Sequence, residues 1–190
     1  MIDHKKINNK EVTLDEVCGH LGPAELRDLT NEMTDTLLDL IVGCVDEDVV
    51  FMPKDPEAYD NAAATEGDVH LPWSLGHLIV HITASSEEAA FLGAELARGV
   101  QREGRSRYET YWTTMTTINQ CRARLEESRR MQLATLEVWP DEPHMDNTIE
   151  LRFREGPINP ASRFCGGLLH ASSHIEQVIE VVRQAKAARA

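Results

Sequence analysis

Gly167-Leu168-Leu169-His170-Ala171-Ser172-Ser173-His174-Ile175-Glu176-Gln177-Val178-Ile179-Glu180-Val181 is the stretch from which the rest of the chain can be read. Gly167, His170, His174, Val178 and Val181 recur at intervals of three and four, the period of a helix that turns one stripe toward a bundle seam. The stripe sets His170 and His174 on one face, a turn apart and facing inward. A buried imidazole that loses its water partners costs roughly 1–3 kcal/mol. A shared metal ion satisfies two at once; hydrogen bonds to other core side chains are the alternative.

Working outward, this last helix is expected to begin around Pro160 to Ser162, after Gly156-Pro157-Ile158-Asn159, and to run to the Ala-rich end. A first helix is expected from 23 to 45, with Pro23 in its first turn and Leu26, Leu29, Met33, Leu37, Leu40 and Cys44 at helical spacing. A second runs from near Trp73 to about Arg98 on Leu75, Leu78, His81, Ile82, Ala89, Leu92 and Leu96. A third, with the weakest ladder, spans roughly Tyr108 to Met131 on Trp112, Met115, Ile118 and Leu125. Between the first and second, Asp46 to Pro72 holds three prolines and several acids and reads as a crossover long enough to cross the bundle. After the third, Leu136 with Val138, and Ile149, Leu151 and Phe153, alternate as strands do around the turn-rich Pro140 to Asn147, which predicts a hairpin. Residues 1–22 read as a polar N-terminal extension with at most a short helix around Leu14 to Val17. The expected fold is all-α: a four-helix bundle with long crossover loops and a small accessory β-hairpin before the last helix, in one domain over 1–190.

Of the 190 residues 27% are charged and 42% hydrophobic, a soluble globular composition, and one sizeable core is the default at this length. The formal charge of −13 works against nucleic acid or an anionic membrane as partner. Arg98, Arg102, Arg105 and Arg107 are the densest basic patch and read as a solvated turn between helices. No apolar run is long enough to span a bilayer, and Met1-Ile2-Asp3-His4-Lys5-Lys6 lacks the apolar core of a secretion signal, so a cytoplasmic location is expected. Cys18, Cys44, Cys121 and Cys165 lie far apart, as reduced structural thiols do.

The second helix repeats the spacing in Trp73-Ser74-Leu75-Gly76-His77-Leu78-Ile79-Val80-His81. His81 lies about 12 Å along its helix from Trp73, and His170 and His174 about 15–21 Å from Pro160. These depths agree if the second and fourth helices run parallel with the third as an antiparallel spacer, so that His81 joins His170 and His174. Three neutral imidazoles with an open position describe a catalytic-type divalent site. His77, one turn from His81, could be a fourth ligand, a base beside the open position, or a histidine capping the bundle's mouth. His4, His20, His70 and His144 read as solvated, and Trp73 as a packing anchor rather than a substrate platform.

Trp73 with His81 eight residues later, followed by His170-x3-His174 and Gln177, resembles the DinB/YfiT-like family, which includes bacillithiol- and mycothiol-dependent transferases. Ile175 and Glu176 stand where the family commonly has His-Arg, so a substrate contact from that arginine is not carried over. The resemblance implies that His81, His170 and His174 bind a divalent metal, zinc or nickel ahead of iron, cobalt or manganese. It further implies a reaction moving thiol sulfur onto electrophiles or isomerising thiol adducts, and a homodimer through an exposed helix face.

A divalent ion lowers the pKa of a bound thiol or water. The first expectation is therefore a transferase that holds a low-molecular-weight thiol as metal thiolate and presents it to a small electrophile. Hydrolysis by metal-bound hydroxide and a non-catalytic metal- or ligand-binding stress protein are the alternatives. Cysteine nucleophilic catalysis is a poor competitor, since Cys165 lies about 140° around the helix from His170.

Overall fold

The computed structural model describes residue 2 and residues 4–60, 66–102, 110–151 and 155–190. Its helices in chain order are α1 (His4–Asn8), α2 (Leu14–Cys18), α3 (Pro23–Leu40), α4 (Asp46–Val50), α5 (Leu75–Ala97), α6 (Ile118–Leu136), α7 (Pro160–Ser173) and α8 (Ile175–Ala188), with strands β1 (Ile149–Glu150) and β2 (Pro157–Ile158) before α7. The fold is all-α apart from that hairpin, with α3, α5, α6 and the α7–α8 pair as the bundle.

Local chemistry sets the helix boundaries. The Ser74 hydroxyl accepts from the His77 N–H at 3.3 Å and opens α5. Thr117 accepts from the Gln120 N–H at 3.2 Å while Gln120 returns a bond to the Thr117 N–H at 2.9 Å, a reciprocal cap that starts α6 ten residues later than the expected Tyr108. Trp112–Thr114 is instead a 3-10 turn, and residues 103–109 lie outside the described residues. Helix α3 ends at Leu40 rather than 45, because Gly43 turns the chain at φ +74° and α4 follows. The C-terminal helix seals that end: Lys186 Nζ donates to the Val42 carbonyl at 2.8 Å, and Arg189 donates to Gly43 and to the buried Asp48 carboxylate, both at 3.0 Å.

Contacts along the helices fix their directions. Arg27 pairs with Glu137 and Arg129 with Asp35, so α3 and α6 are antiparallel. Gly76 packs on Met115 and Glu87 pairs with Arg124, so α5 and α6 run parallel. Gly93 meets Pro160 and Phe164, Gly167 meets Ser86 and Ala89, and His81 meets His170, so α5 and α7 are antiparallel. This reverses the expected parallel pairing with the third helix as antiparallel spacer. The described part of the segment after α3 does not cross the bundle; it begins and ends at one end, where Val49 touches Gly76 at the start of α5. The crossing belongs to the connection from α5 to α6, whose ends lie at opposite ends of the 23-residue α5, about 35 Å apart.

A Cβ on Gly167 would stand 2.7 Å from the Ser86 Cα, and one on Gly93 3.0 Å from the Pro160 carbonyl oxygen. The absence of side chains at these two positions lets the backbones of α5 and α7 approach. That approach brings imidazoles from the two helices within reach of each other.

Four further expectations change. Leu136 is the last residue of α6 and Val138 is exposed beyond it, so neither forms a strand; helical burial of Gln132, Thr135 and Leu136 carries the helix past Met131. The partner of Ile149 is Ile158, in an antiparallel pair with Glu150 opposite Pro157, while Phe153 lies outside the described residues. The N-terminal 22 residues hold two short helices and bury Ile2, Ile7, Leu14 and Cys18 in the core. His4 is not solvated as expected: its ring bonds the Ser172 hydroxyl at 3.1 Å.

Candidate metal centre

His81 comes from the second turn of α5 and His170 from the last turn of α7. His174 stands at a break: the helix expected to be continuous is interrupted there, between α7 and α8. The Ser173 hydroxyl donates to the His170 carbonyl at 2.7 Å, and the His174 N–H turns to the Ala171 carbonyl at 3.1 Å. A hydroxyl occupying the carbonyl that the next turn would use is a known cause of helix bending. Nothing in the sequence pattern, which has no proline or glycine at this point, announced the interruption.

The three rings face one another. Centroids lie 4.8 Å apart for His81 and His170, 5.0 Å for His81 and His174, and 4.6 Å for His170 and His174. One ligand nitrogen from each falls within 4.8 Å of the others, and all three residues are half-buried. The Nε2 atoms of His170 and His81 are 2.8 Å apart. Two neutral imidazoles so placed need a proton or a cation between their lone pairs.

His174 is oriented from behind. Its Nδ1–H donates to Gln177 Oε1 at 2.9 Å, which leaves the Nε2 lone pair for the centre. Burial lowers the His174 pKa, partly offset by that hydrogen bond, so the ring is neutral at neutral pH as a ligand must be. In the sequence Gln177 is marked only by the family resemblance; its position as orienting partner of His174 is visible in three dimensions alone.

His77 is not one of the converging three. It is stacked between two indoles, 4.6 Å from Trp73 and 4.9 Å from Trp112, the latter nearly parallel to it at 2°. Four residues of helix rotate about 40° past a full turn, enough to send His81 to the triad and His77 toward Trp112. Burial holds the His77 imidazole down at about 4, against an opposing pull from Asp60 and Asp68, and its Nδ1 has no hydrogen-bond partner among the described residues. Trp73 also touches His81 at 4.5 Å and His174 at 5.8 Å, so it walls the centre as well as anchoring the helix start.

Beside His174 a recess of about 170 Å³ opens between Trp73, Gln177, Leu71 and the segment Asp55 to Tyr59. The four cysteines stand apart from the site as buried free thiols. Burial pushes Cys121 up to about 12 and raises Cys44, while a hydrogen bond with Cys18 and burial raise Cys165.

A helical bundle whose second and last long helices bring three histidines together at one end, in an arrangement that could hold a metal ion, defines the class of protein. Residues 22–178 match the family model of the DinB superfamily, and the chain belongs to that superfamily. No curated protein and no solved structure matches it. No helix among the described residues is long and apolar enough to cross a membrane.

Proposed function

We propose that the protein is a divalent-metal-dependent transferase that activates a low-molecular-weight thiol for attack on a small electrophile, with His81, His170 and His174 as the metal ligands. The observation that carries the reading is the convergence of three ring nitrogens, one per histidine, within 4.8 Å. The donor set fits a borderline cation, zinc or nickel ahead of iron, cobalt or manganese, and three protein ligands leave a position for an exchangeable one. When bound, such an ion lowers the pKa of a thiol or water held at that position.

The chain's own residues supply the rest. Gln177 fixes the His174 tautomer, Trp73 shields one side of the rings, and the recess beside His174 gives a small molecule access. The sulfur is assigned to a small molecule because the protein's own thiols are buried and Cys121, Cys44 and Cys165 are held in the protonated form. In the transfer, the thiol gives up its proton to solvent, sulfur bonds to the electrophilic carbon, and the leaving group departs with its electron pair.

The test has two parts. Elemental analysis of untagged protein should show a stoichiometric metal that a His170→Ala/His174→Ala double variant lacks; equal metal content would reject the triad. The loaded protein, incubated with a chlorinated aromatic and bacillithiol, mycothiol, glutathione or cysteine, should consume at least one thiol faster than apo protein. Loss of metal in the variant with no thiol consumption would favour hydrolysis or a non-catalytic binding role.

A further inference from the structure

The recess beside His174 has a distinct electrostatic character. Asp55 and Glu57 contribute its charged side chains, and among the described residues neither lysine nor arginine lines it. Asp60 and Asp68, from the same connection, extend the negative potential as far as His77. The other walls are aromatic: Trp73, which leans on the metal-site histidines, and Tyr59, 68% exposed and packed against His70 at 5.6 Å.

The wall is an ordered structure. The Ala58 N–H donates to the Asp55 carbonyl at 3.3 Å, the Glu57 N–H to Asp55 Oδ1 at 3.1 Å, and the Asp60 N–H to the Val69 carbonyl at 2.8 Å. The His70 ring bonds the Ala58 carbonyl at 3.1 Å, which holds the ring under Tyr59. Carboxylates beside an exposed tyrosine ring and the edge of a half-buried indole, in a concave site, are the chemistry that recognises an ammonium group by charge and by cation–π attraction. The volume of about 170 Å³ exceeds the roughly 150 Å³ of a cavity that takes benzene, and a trimethylammonium group is of that size.

We infer that the recess formed by Asp55, Glu57, Tyr59 and Trp73 beside His174 receives a positively charged group, a primary or quaternary ammonium, on the molecule whose thiol reaches the histidine centre. The inference rests on the thiol reading of that centre and adds its charge specificity: the sulfur end is directed to the histidines and the cationic end to the acidic aromatic wall. An anionic thiol would place its carboxylate against Asp55 and Glu57.

The full-length protein, loaded with cobalt(II), is titrated with thiocholine, 2-mercaptoethanol and 3-mercaptopropionate while the sulfur-to-cobalt absorption is followed. The same is done with an Asp55→Asn/Glu57→Gln variant, which leaves all three histidines in place. The variant should bind thiocholine about tenfold more weakly than wild type, the effect of two carboxylates at several Å in a partly solvated site. It should bind 2-mercaptoethanol within about twofold of wild type and 3-mercaptopropionate no more weakly. An equal change for all three thiols, or no change for thiocholine, overturns the inference. A separate arm uses choline and metal-free protein: quenching of tryptophan emission that the variant loses supports the cation site, and its absence in wild type overturns it. Choline quenching without sulfur absorption from any thiol, cobalt being bound, would sink the thiol reading and leave the cation-binding recess standing.

Discussion

The Nε2 atoms of His81 and His170, eighty-nine positions apart in the chain, face each other at 2.8 Å across the α5–α7 interface. Neither residue alone signals a site, and the pair exists because two helices approach closely at the positions of Gly93 and Gly167.

Replacing His81 by Ala should reduce bound metal to background in elemental analysis and leave the far-ultraviolet circular dichroism unchanged. His81 is half-buried, so its loss opens no deep cavity, and the apo protein should lose at most about 1–2 kcal/mol in a urea titration. Full metal retention would exclude His81 as a ligand.

Gln177 acts on the metal through His174, whose Nδ1–H it accepts. Gln177→Ala should weaken metal affinity about 10–100-fold with the fold intact, as loss of such orienting partners does. Gln177→Glu should restore most of it, since a carboxylate accepts the same hydrogen bond. Competition with a chromogenic chelator reads both values, and an unchanged affinity in the Ala variant would make Gln177 a bystander.

At Gly167 an added Cβ would lie 2.7 Å from the Ser86 Cα and 2.8 Å from the Ala89 Cβ. Gly167→Ala should therefore push α5 and α7 apart, costing about 1–3 kcal/mol in denaturant unfolding. The separation should also loosen the His81–His170 contact and lower metal affinity, whereas Gly166→Ala, with nothing nearer than 3.8 Å, should do neither.

The His77 imidazole is held at about 4 against an ordinary 6.5, with burial as the main cause. Between these values the unfolded chain takes up a proton that the folded protein refuses, so stability should fall as pH drops from about 6.5 to 4 and stay level above. His77→Phe keeps an aromatic ring between Trp73 and Trp112 and removes the titration. Melting temperatures in chelator should decline less steeply with acid for this variant than for wild type. Identical slopes would place the acid sensitivity elsewhere.

Helical periodicity was enough to read an all-α bundle, because an apolar stripe records which face of a helix is buried whatever it packs against. The His-x3-His spacing of the last helix marked His170 and His174, and the family resemblance carried by Trp73 and His81 supplied the third histidine that the structure brings beside them. Periodicity carries no direction. The parallel arrangement drawn for the second and fourth helices failed because the path of the chain between them was misplaced: the connection after α3 begins and ends at the histidine end, and the one after α5 makes the crossing. The hairpin was placed in the correct region with the wrong strand, since the Leu136–Val138 alternation is equally the end of a helical ladder.

What the sequence determined by itself was therefore the local part: which segments are helical, which faces are buried, and which three imidazoles are candidates for one ion. The tertiary structure alone decided the antiparallel packing of α5 on α7, the interruption at His174, the placing of His77 between two indoles, and the acidic aromatic wall of the recess. Those features arise from contacts between residues far apart in the chain, where close approach at a missing side chain or competition for a single carbonyl outweighs any pattern that neighbouring residues can carry.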